Sequence, residues 1–453
     1  MKHTIPYTAK LLCLALAALA VPSHAAVSNE EAERLKTTLT PFGAEKAGNK
    51  DGTIPAWTGG LTKATRSVPR LPPNLFADEK PILSISAKNA DQYADKLSEG
   101  QLYLLKNYAG YRIEVFPTHR TFAAPQAVYD ATYKNALNGK LVNDNMTASN
   151  VKTGIAFPIP KRGEEVILNS QNNWRGLDFS FTADSYAISS SGQRSLTTAN
   201  TVTVTVPYHY PSERKDPWDG SVYSASVVEI TAPAFLAGEK VLTLSPMDAI
   251  KVGPRAWTYL TGQRRLRKTP NVQYDVPFPY TSGMTNFDDA NGFLGALDRY
   301  DWKLLGKKEL YIPYNTGGLH HVADLNKVIG PQYVNPDVLR HELHRVWVVE
   351  ATLKSGARHT VPKRRFYVDE DSWWIVAQDQ WDAKGQFWKT FSFATFPLPE
   401  VPVTHMITNI MYNVQSKGYG VLNLMNREPG GFHFKAAPAE DFTPQALERG
   451  GVR

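Results

Sequence analysis

Residues 342–397 read ELHRVWVVEATLKSGARHTVPKRRFYVDEDSWWIVAQDQWDAKGQFWKTFSFATFP, and their punctuation predicts four consecutive β-strands. The first, Glu342–Leu353, runs into a turn at Lys354-Ser355-Gly356. The second, Arg358–Val368, ends at Asp369-Glu370-Asp371, and the third, Trp373–Trp381, ends at Asp382-Ala383-Lys384-Gly385. A fourth strand, Gln386–Phe396, completes the set. Turns this short join antiparallel neighbours, so the stretch predicts a meander. On the first strand Leu343, Trp347, Val349 and Leu353 share one face, yet Val346 and Val348 point the other way. A sheet wetted on one side alternates more cleanly. This one is therefore covered on both faces, or turns one face to an apolar cavity.

Upstream the same alternating signal recurs in Thr201–Tyr210 (TVTVTVPYHY), Ser224–Thr231, Lys240–Leu244 and Trp302–Tyr311. Ala256–Leu260, a turn at Thr261-Gly262-Gln263 and Arg264–Lys268 predict a hairpin. No β-α-β rhythm interrupts these strands, which argues against a parallel sheet. Before Gly154 the signal is different. Asn29–Thr38 opens with a cap residue and acidic first-turn residues, Asn89 marks the start of a second helix, and Ser98 with Gln101 makes a capping box. Thr40–Thr62 is a loop rich in Gly and Pro, and Tyr111–Tyr133 carries mixed signals that assign no element. The expected fold class is mainly antiparallel β with an α-helical N-terminal part (α+β). The expected divisions are 1–25 as a leader, 26–150 as a helical and irregular region, 151–428 as the antiparallel sheet and 429–453 as a tail.

The leader is read from Lys2, His3 and Lys10, followed by the apolar run Leu11–Val21 and by Pro22-Ser23-His24-Ala25. A basic start, a short apolar core and small residues before a cut after Ala25 predict an exported, soluble protein. No later stretch approaches the apolar length of a membrane span. Cys13, the single cysteine, lies in the leader, so the mature chain has neither a disulfide nor a thiol nucleophile. The net charge of +7 is a mild excess, clustered at Arg264–Lys268 and Lys363–Arg365. Outside the cytoplasm such clusters fit anionic lipid head groups or a solvated face better than nucleic acid. The 10 Trp, 21 Tyr and 19 Phe suit β-structure and apolar-ligand cavities alike.

Catalytic patterns are absent: there is no G-x-S-x-G elbow, P-loop, H-E-x-x-H or Rossmann glycine pattern. In His341-Glu342-Leu343-His344 the two histidines lie three apart and face opposite ways on a strand, and adjacent His320-His321 diverge likewise. Turn chemistry accounts for Asp288-Asp289 and Asp369-Glu370-Asp371 without calcium. We therefore expect no catalytic residue, no metal ligand and no cofactor, with hydrolysis the least favoured activity. The hairpin offers the candidate binding residues. Trp257 and Tyr259 share a face on its first strand, and Arg265 and Arg267 share a face on its second. Rings against an apolar chain and guanidinium groups against an anionic head would suit an amphipathic cargo; a charge-blunted outer edge fits equally well.

That hairpin resembles the W-x-Y-L-P-x-x-x-R-x-R-R signature of periplasmic outer-membrane lipoprotein-sorting-like proteins, relatives of the LolA and LolB carriers. Trp257, Tyr259, Leu260, Arg265 and Arg267 match, while Thr261 replaces the proline. Phe366-Tyr367-Val368-Asp369 before Ser372-Trp373, then Asp382-Ala383-Lys384-Gly385, look like the same group. More closely, the chain resembles a family of exported proteins of this length and unknown function in Gram-negative bacteria. Its marks are Leu39–Gly60 (LTPFGAEKAGNKDGTIPAWTGG), Asp298–Trp302 (DRYDW), Lys307–Tyr314 (KKELYIPY) and Leu343–Glu350 (LHRVWVVE). The resemblance implies an unclosed β-barrel of LolA/LolB type with helices inside it or across its mouth, shielding a lipid or other hydrophobic cargo in the periplasm. It also implies partners: an inner-membrane transporter of the resistance–nodulation–division type and an outer-membrane protein. The alternative it carries is an envelope sensor or scaffold that binds a protein.

Overall fold

The computed structural model describes residues 27–63, 71–214, 218–269, 273–278, 281–427 and 431–449. The expected leader lies outside the described residues. In chain order the strands are β1 (Leu83–Ser86), β2 (Arg112–Val115), β3 (Lys140–Val142), β4 (Thr147–Ser149), β5 (Asp178–Ile188) and β6 (Arg194–Thr205). They continue with β7 (Val222–Ala232), β8 (Lys240–Pro246), β9 (Arg255–Leu260), β10 (Arg265–Thr269), β11 (Tyr300–Pro313) and β12 (His341–Leu353). The last six are β13 (Lys363–Asp369), β14 (Ile375–Trp381), β15 (Phe387–Leu398), β16 (Val403–Asn413), β17 (Gly418–Leu424) and β18 (Gly431–His433). The α-helices are α1 (Asn29–Glu33), α2 (Glu99–Asn107), α3 (Gln126–Asn138), α4 (Gly163–Gln171) and α5 (Pro444–Arg449).

Sixteen strands form one sheet in the order β1-β2-β12-β13-β14-β15-β16-β17-β5-β6-β7-β8-β9-β10, with β11 beside β12 and β18 beside β5. Among the described residues the two ends of this path do not pair, so the sheet is unclosed. The expected meander is its centre, β12 to β15, and every pairing is antiparallel except one parallel contact of β2 with β12, His341 beside Val115. Strands β1 and β2, from the N-terminal part, join the same sheet.

The sequence left open whether both faces are covered. They are. Ile410 and Met411 are neighbours on β16 and so project to opposite sides, and each sits in a different buried cluster. Ile410 packs with Tyr186, Tyr412, Tyr419 and Val421 against Leu104 and Leu105 of α2. Met411 packs with Phe391, Phe393 and Phe366 in the cluster that holds Val166, Ile167 and Leu168 of α4. At 25 cal/mol per Å² or so of apolar surface, such double burial is the main stabilising term of a large sheet.

Local boundaries differ where side chains capture the backbone. β13 begins at Lys363 and not at Arg358, because His359 is buried against Asp288 at 3.0 Å and the Thr360 N–H donates to Asp275. β6 ends at Thr205, and Pro207–His209 becomes a 3₁₀ turn, since proline has no N–H for a ladder. Ser98 and Gln101 make the expected capping box on α2. Asn89 does precede a 3₁₀ helix, Ala90–Lys96, but its side chain braces the preceding turn, accepting from the Ser86 N–H and donating to the Ser84 carbonyl.

Helix α2 is anchored to the sheet by Asp379 of β14. Its carboxylate accepts from the Gly100 N–H (3.2 Å), the Thr390 hydroxyl (2.8 Å) and the Tyr367 hydroxyl (3.1 Å). Burial pushes the Asp379 carboxyl up to about 6 in spite of those donors. A folded-state value above the unfolded one means that the native protein holds the extra proton. The associated stability is then complete below the unfolded value near 4 and is lost as pH rises through about 6. Asp379→Asn should remove this slope: against the parent, the variant gains about 2 kcal/mol of relative stability between pH 4 and pH 7. Denaturant unfolding at both pH values checks it, and parallel curves for the two proteins would refute it.

Candidate functional site

Three of the stretches that carry the family resemblance meet at one place. The loop Leu39–Gly60 lies over the turn between β13 and β14, and Lys307–Tyr314 and Leu343–Glu350 supply the strands beneath. The Trp373 indole N–H donates to the Phe42 carbonyl at 2.9 Å, the Glu45 N–H to Glu370 at 3.4 Å, and Arg345 to the Ala47 carbonyl at 3.1 Å. Trp373 holds a left-handed backbone (φ 61°) while fully buried, a conformation that costs a bulky residue energy. Its neighbours hold it there: the Ser372 N–H and hydroxyl both donate to Asp369 Oδ2, at 2.9 and 2.6 Å.

Beneath the loop is a buried charge network. Arg120 binds Asp371 with two parallel hydrogen bonds, 2.9 Å from Nε and 2.7 Å from its terminal amine, and donates to the Lys46 and Pro55 carbonyls. Lys307 reaches Glu370 at 2.7 Å and Glu45 at 3.1 Å, and Arg345 reaches Glu370 at 3.4 Å. Glu342 accepts from Arg340 (2.5 Å), Asn315 (2.9 Å) and the His119 N–H (2.8 Å), and lies 3.2 Å from His344 Nε2. Among the described residues no lysine or arginine lies within ion-pair distance of Asp369. Burial, and then the adjacent Asp371, push its carboxyl up to about 6.

Beside the network, the loop and α3 enclose a groove of about 550 Å³. Leu35, Leu39 and Pro41 supply aliphatic surface, and Trp57, Tyr129 and Tyr133 supply rings. Lys36, Lys46 and Lys134 are exposed along it, with Asp130 and Gln126. The rings are fixed. Trp57 donates to the Phe122 carbonyl at 3.0 Å, the Tyr129 oxygen accepts from the Ala124 N–H at 2.7 Å, and the Tyr133 hydroxyl donates to Glu33 at 2.6 Å. Lys36 Nζ sits 4.0 Å above the Tyr133 ring. An apolar trough with ammonium groups beside it can take a chain with an anionic end. Sequence reading did not single out these residues. The signal was present in α3, where positions 126, 129, 130, 133 and 134 follow the spacing of one helical face.

The hairpin residues are arranged differently. Tyr259 is buried with Phe442 and Leu447, at α5, and Trp257 packs partly on the same cluster. Leu260 pairs with Arg265 and Thr258 with Arg267, so both arginines lie on the face opposite to the rings. Both are exposed, and Arg267 donates to Gln263 at 2.7 Å. The four side chains therefore do not converge on one side. Of the histidine pairs, His341 contacts the Leu339 carbonyl while His344 turns to Glu342, and His320 is buried while His321 contacts the Pro72 carbonyl. Asp288 pairs with Arg364 at 3.0 Å and with His359, and Asp289 accepts from Gln380.

Residues 84–448 match the family described as protein of unknown function, DUF1329. The uncharacterised protein PA3922 of Pseudomonas aeruginosa is 39% identical over 448 residues, 97% of each chain. The chain belongs to this family. Among solved structures it is similar to a DUF1329 family protein from Desulfovibrio piger, at 14% identity with a TM-score of 0.41 over 62% of this chain and 93% of that one. It is also similar to a Vibrio parahaemolyticus domain described with outer membrane lipoprotein-sorting proteins, at 16% identity, TM-score 0.42, over 63% and 98%. A LolA superfamily protein from Nitrosomonas europaea gives 13% identity and a TM-score of 0.36 over 63% and 98%. Among the described residues no helix is long and apolar enough to cross a membrane.

Removing one member of a buried ion pair strands the other. Arg120→Ala should lower the unfolding free energy by about 3–5 kcal/mol, because Asp371 loses its guanidinium in a dry site. Arg265→Ala, at an exposed edge, should change it by no more than about 0.5 kcal/mol. Denaturant unfolding of both variants measures the contrast, and equal losses would mean that Arg120 is not structurally central.

Proposed function

We propose that this protein is a periplasmic carrier for a lipid or another amphipathic hydrophobic molecule. The groove beside α3 takes the apolar chain, and Lys36, Lys46 and Lys134 meet an anionic head group. The observation that carries this reading is the groove itself: aliphatic and aromatic surface with three ammonium groups along it, on a protein whose central sheet is packed on both sides. Its volume lies in the range of small-molecule sites. The leader pattern and the family resemblance support the periplasm, and delivery between a resistance–nodulation–division type transporter in the inner membrane and an outer-membrane protein. Arg265 and Arg267, exposed on the edge strand β10, would form a second contact with an anionic head group or membrane surface, while Trp257 and Tyr259 on the other face of the hairpin pack against the α5 cluster.

Palmitate and palmityl alcohol separate chain from charge. We expect native mass spectrometry of the gently purified protein to find bound lipid, and palmitate to bind more tightly than the alcohol at low salt. Lys134→Glu should narrow that preference, and added salt should narrow it in the parent, since exposed charges are screened within about 10 Å at 0.1 M. Tyr133→Ala should weaken both ligands by about tenfold, or ~1.4 kcal/mol. A protein that is always empty and binds neither ligand is not a carrier of this class.

A further inference from the structure

The turn after β13 holds a second chemistry, independent of the groove. His344 of β12, Asp369 at the end of β13 and Asp371 in the turn each offer a ligand atom, and these atoms all lie within 4.8 Å of one another. All three side chains are buried. We propose that His344, Asp369 and Asp371 bind a divalent transition-metal ion of the zinc type, with the Tyr314 hydroxyl as its neighbour.

Hydrogen-bond accounting supports the assignment. Glu342 accepts from Arg340, Asn315 and the His119 N–H, and it lies 3.2 Å from His344 Nε2. A carboxylate accepts, so Nε2 is the donor to Glu342, and Nδ1 is the ring nitrogen left for a metal. This carboxylate–histidine arrangement orients metal-binding imidazoles. Arg120 fixes Asp371 in the same manner, and each oxygen keeps a second lone pair. Asp369 spends Oδ2 on Ser372, while its Oδ1 is buried with no hydrogen-bond partner. The Tyr314 hydroxyl is a second buried polar atom without a partner; its ring stacks on His344 at 3.9 Å, and Asp369 and Asp371 are the foremost charges acting on it. A buried carboxylate oxygen and a buried hydroxyl, each without a hydrogen-bond partner, are costly unless something joins them.

The donor set selects the class. One imidazole nitrogen with carboxylate oxygens suits zinc and its neighbours, whereas calcium and magnesium take oxygen ligands alone. The loop Leu39–Gly60 covers the turn, so the ion would enter as the chain folds and leave slowly.

The full chain, exported in cells grown with zinc and purified without chelator, is analysed by inductively coupled plasma mass spectrometry. We expect about one equivalent of metal per chain. Asp369→Asn and His344→Ala should each cut the content at least about tenfold, while His341→Ala keeps it. Should the two ligand variants fail to fold, X-ray absorption at the zinc edge of the parent decides. Imidazole scattering with first contacts at about 2.0–2.2 Å supports the site, and a shell without imidazole overturns it. Sub-stoichiometric metal in the parent, or unchanged content in folded Asp369→Asn, overturns it as well; a bound water would then be the occupant.

Discussion

The Arg120 guanidinium is the contact on which the N-terminal part of this structure depends. It binds Asp371 at the sheet turn through two hydrogen bonds and the backbone of the Leu39–Gly60 loop through the Lys46 and Pro55 carbonyls. A planar fork can do both at once; an ammonium group could not hold the carboxylate in the same fixed plane. Buried pairs of this kind return little net energy, because desolvation offsets their attraction. What they supply is a fixed arrangement: with the loop in this placement Asp371, Glu370 and Arg345 are all paired.

Double coverage of the sheet has a consequence for ligand binding. Helix α4 and its neighbours fill one face and α2 fills the other, so Phe391, Phe393, Ile410 and Tyr412 are core residues. A cargo is then accommodated where elements meet imperfectly, beside the loop. There the amphipathic α3 packs Val128 and Ala136 inward and leaves Tyr129 and Tyr133 half-buried at the groove. The groove arises because a loop fixed by charge crosses a helix fixed by its apolar stripe.

The strands were legible because their period of two and their turns are local properties. β12 to β15 could be placed to within a few residues, and the β9–β10 hairpin nearly to the residue. The capping box at Ser98 is a similarly local signal. What escaped was set by distant partners. Arg120 meets residues some 250 positions away, in a stretch without periodic signal, and nothing around it in sequence reports them. His344 was weighed against His341, its neighbour on the same strand, whereas its neighbours in space come from β13 and its turn. For the hairpin, the sharing of a face within each strand was legible, but the relation between the strands required the register. A turn in which Arg264 is left-handed pairs Leu260 with Arg265 and puts rings and guanidinium groups on opposite sides.

The strained turn explains how network and groove are built as one piece. A left-handed tryptophan costs on the order of 1–3 kcal/mol and persists only where its surroundings over-determine it. At Trp373 they do. Asp369 holds the preceding Ser372, Trp347 stacks near the indole at 6.3 Å, and the Phe42 carbonyl takes the indole N–H. Phe42 in turn meets Phe122 at 4.8 Å and the edge of Tyr129 at 5.4 Å. The carbonyl that satisfies a buried donor at the charged turn thus belongs to the residue that backs the aromatic wall of the groove. Moving the turn would unseat that wall, because close-packed rings cannot follow by half a van der Waals radius without opening a void. The Gly43 backbone shows how tight the fit is: at φ 95° a side-chain carbon there would lie 1.8 Å from the Pro158 carbonyl oxygen. Gly43 is therefore glycine because the Pro158 backbone leaves room there for backbone alone.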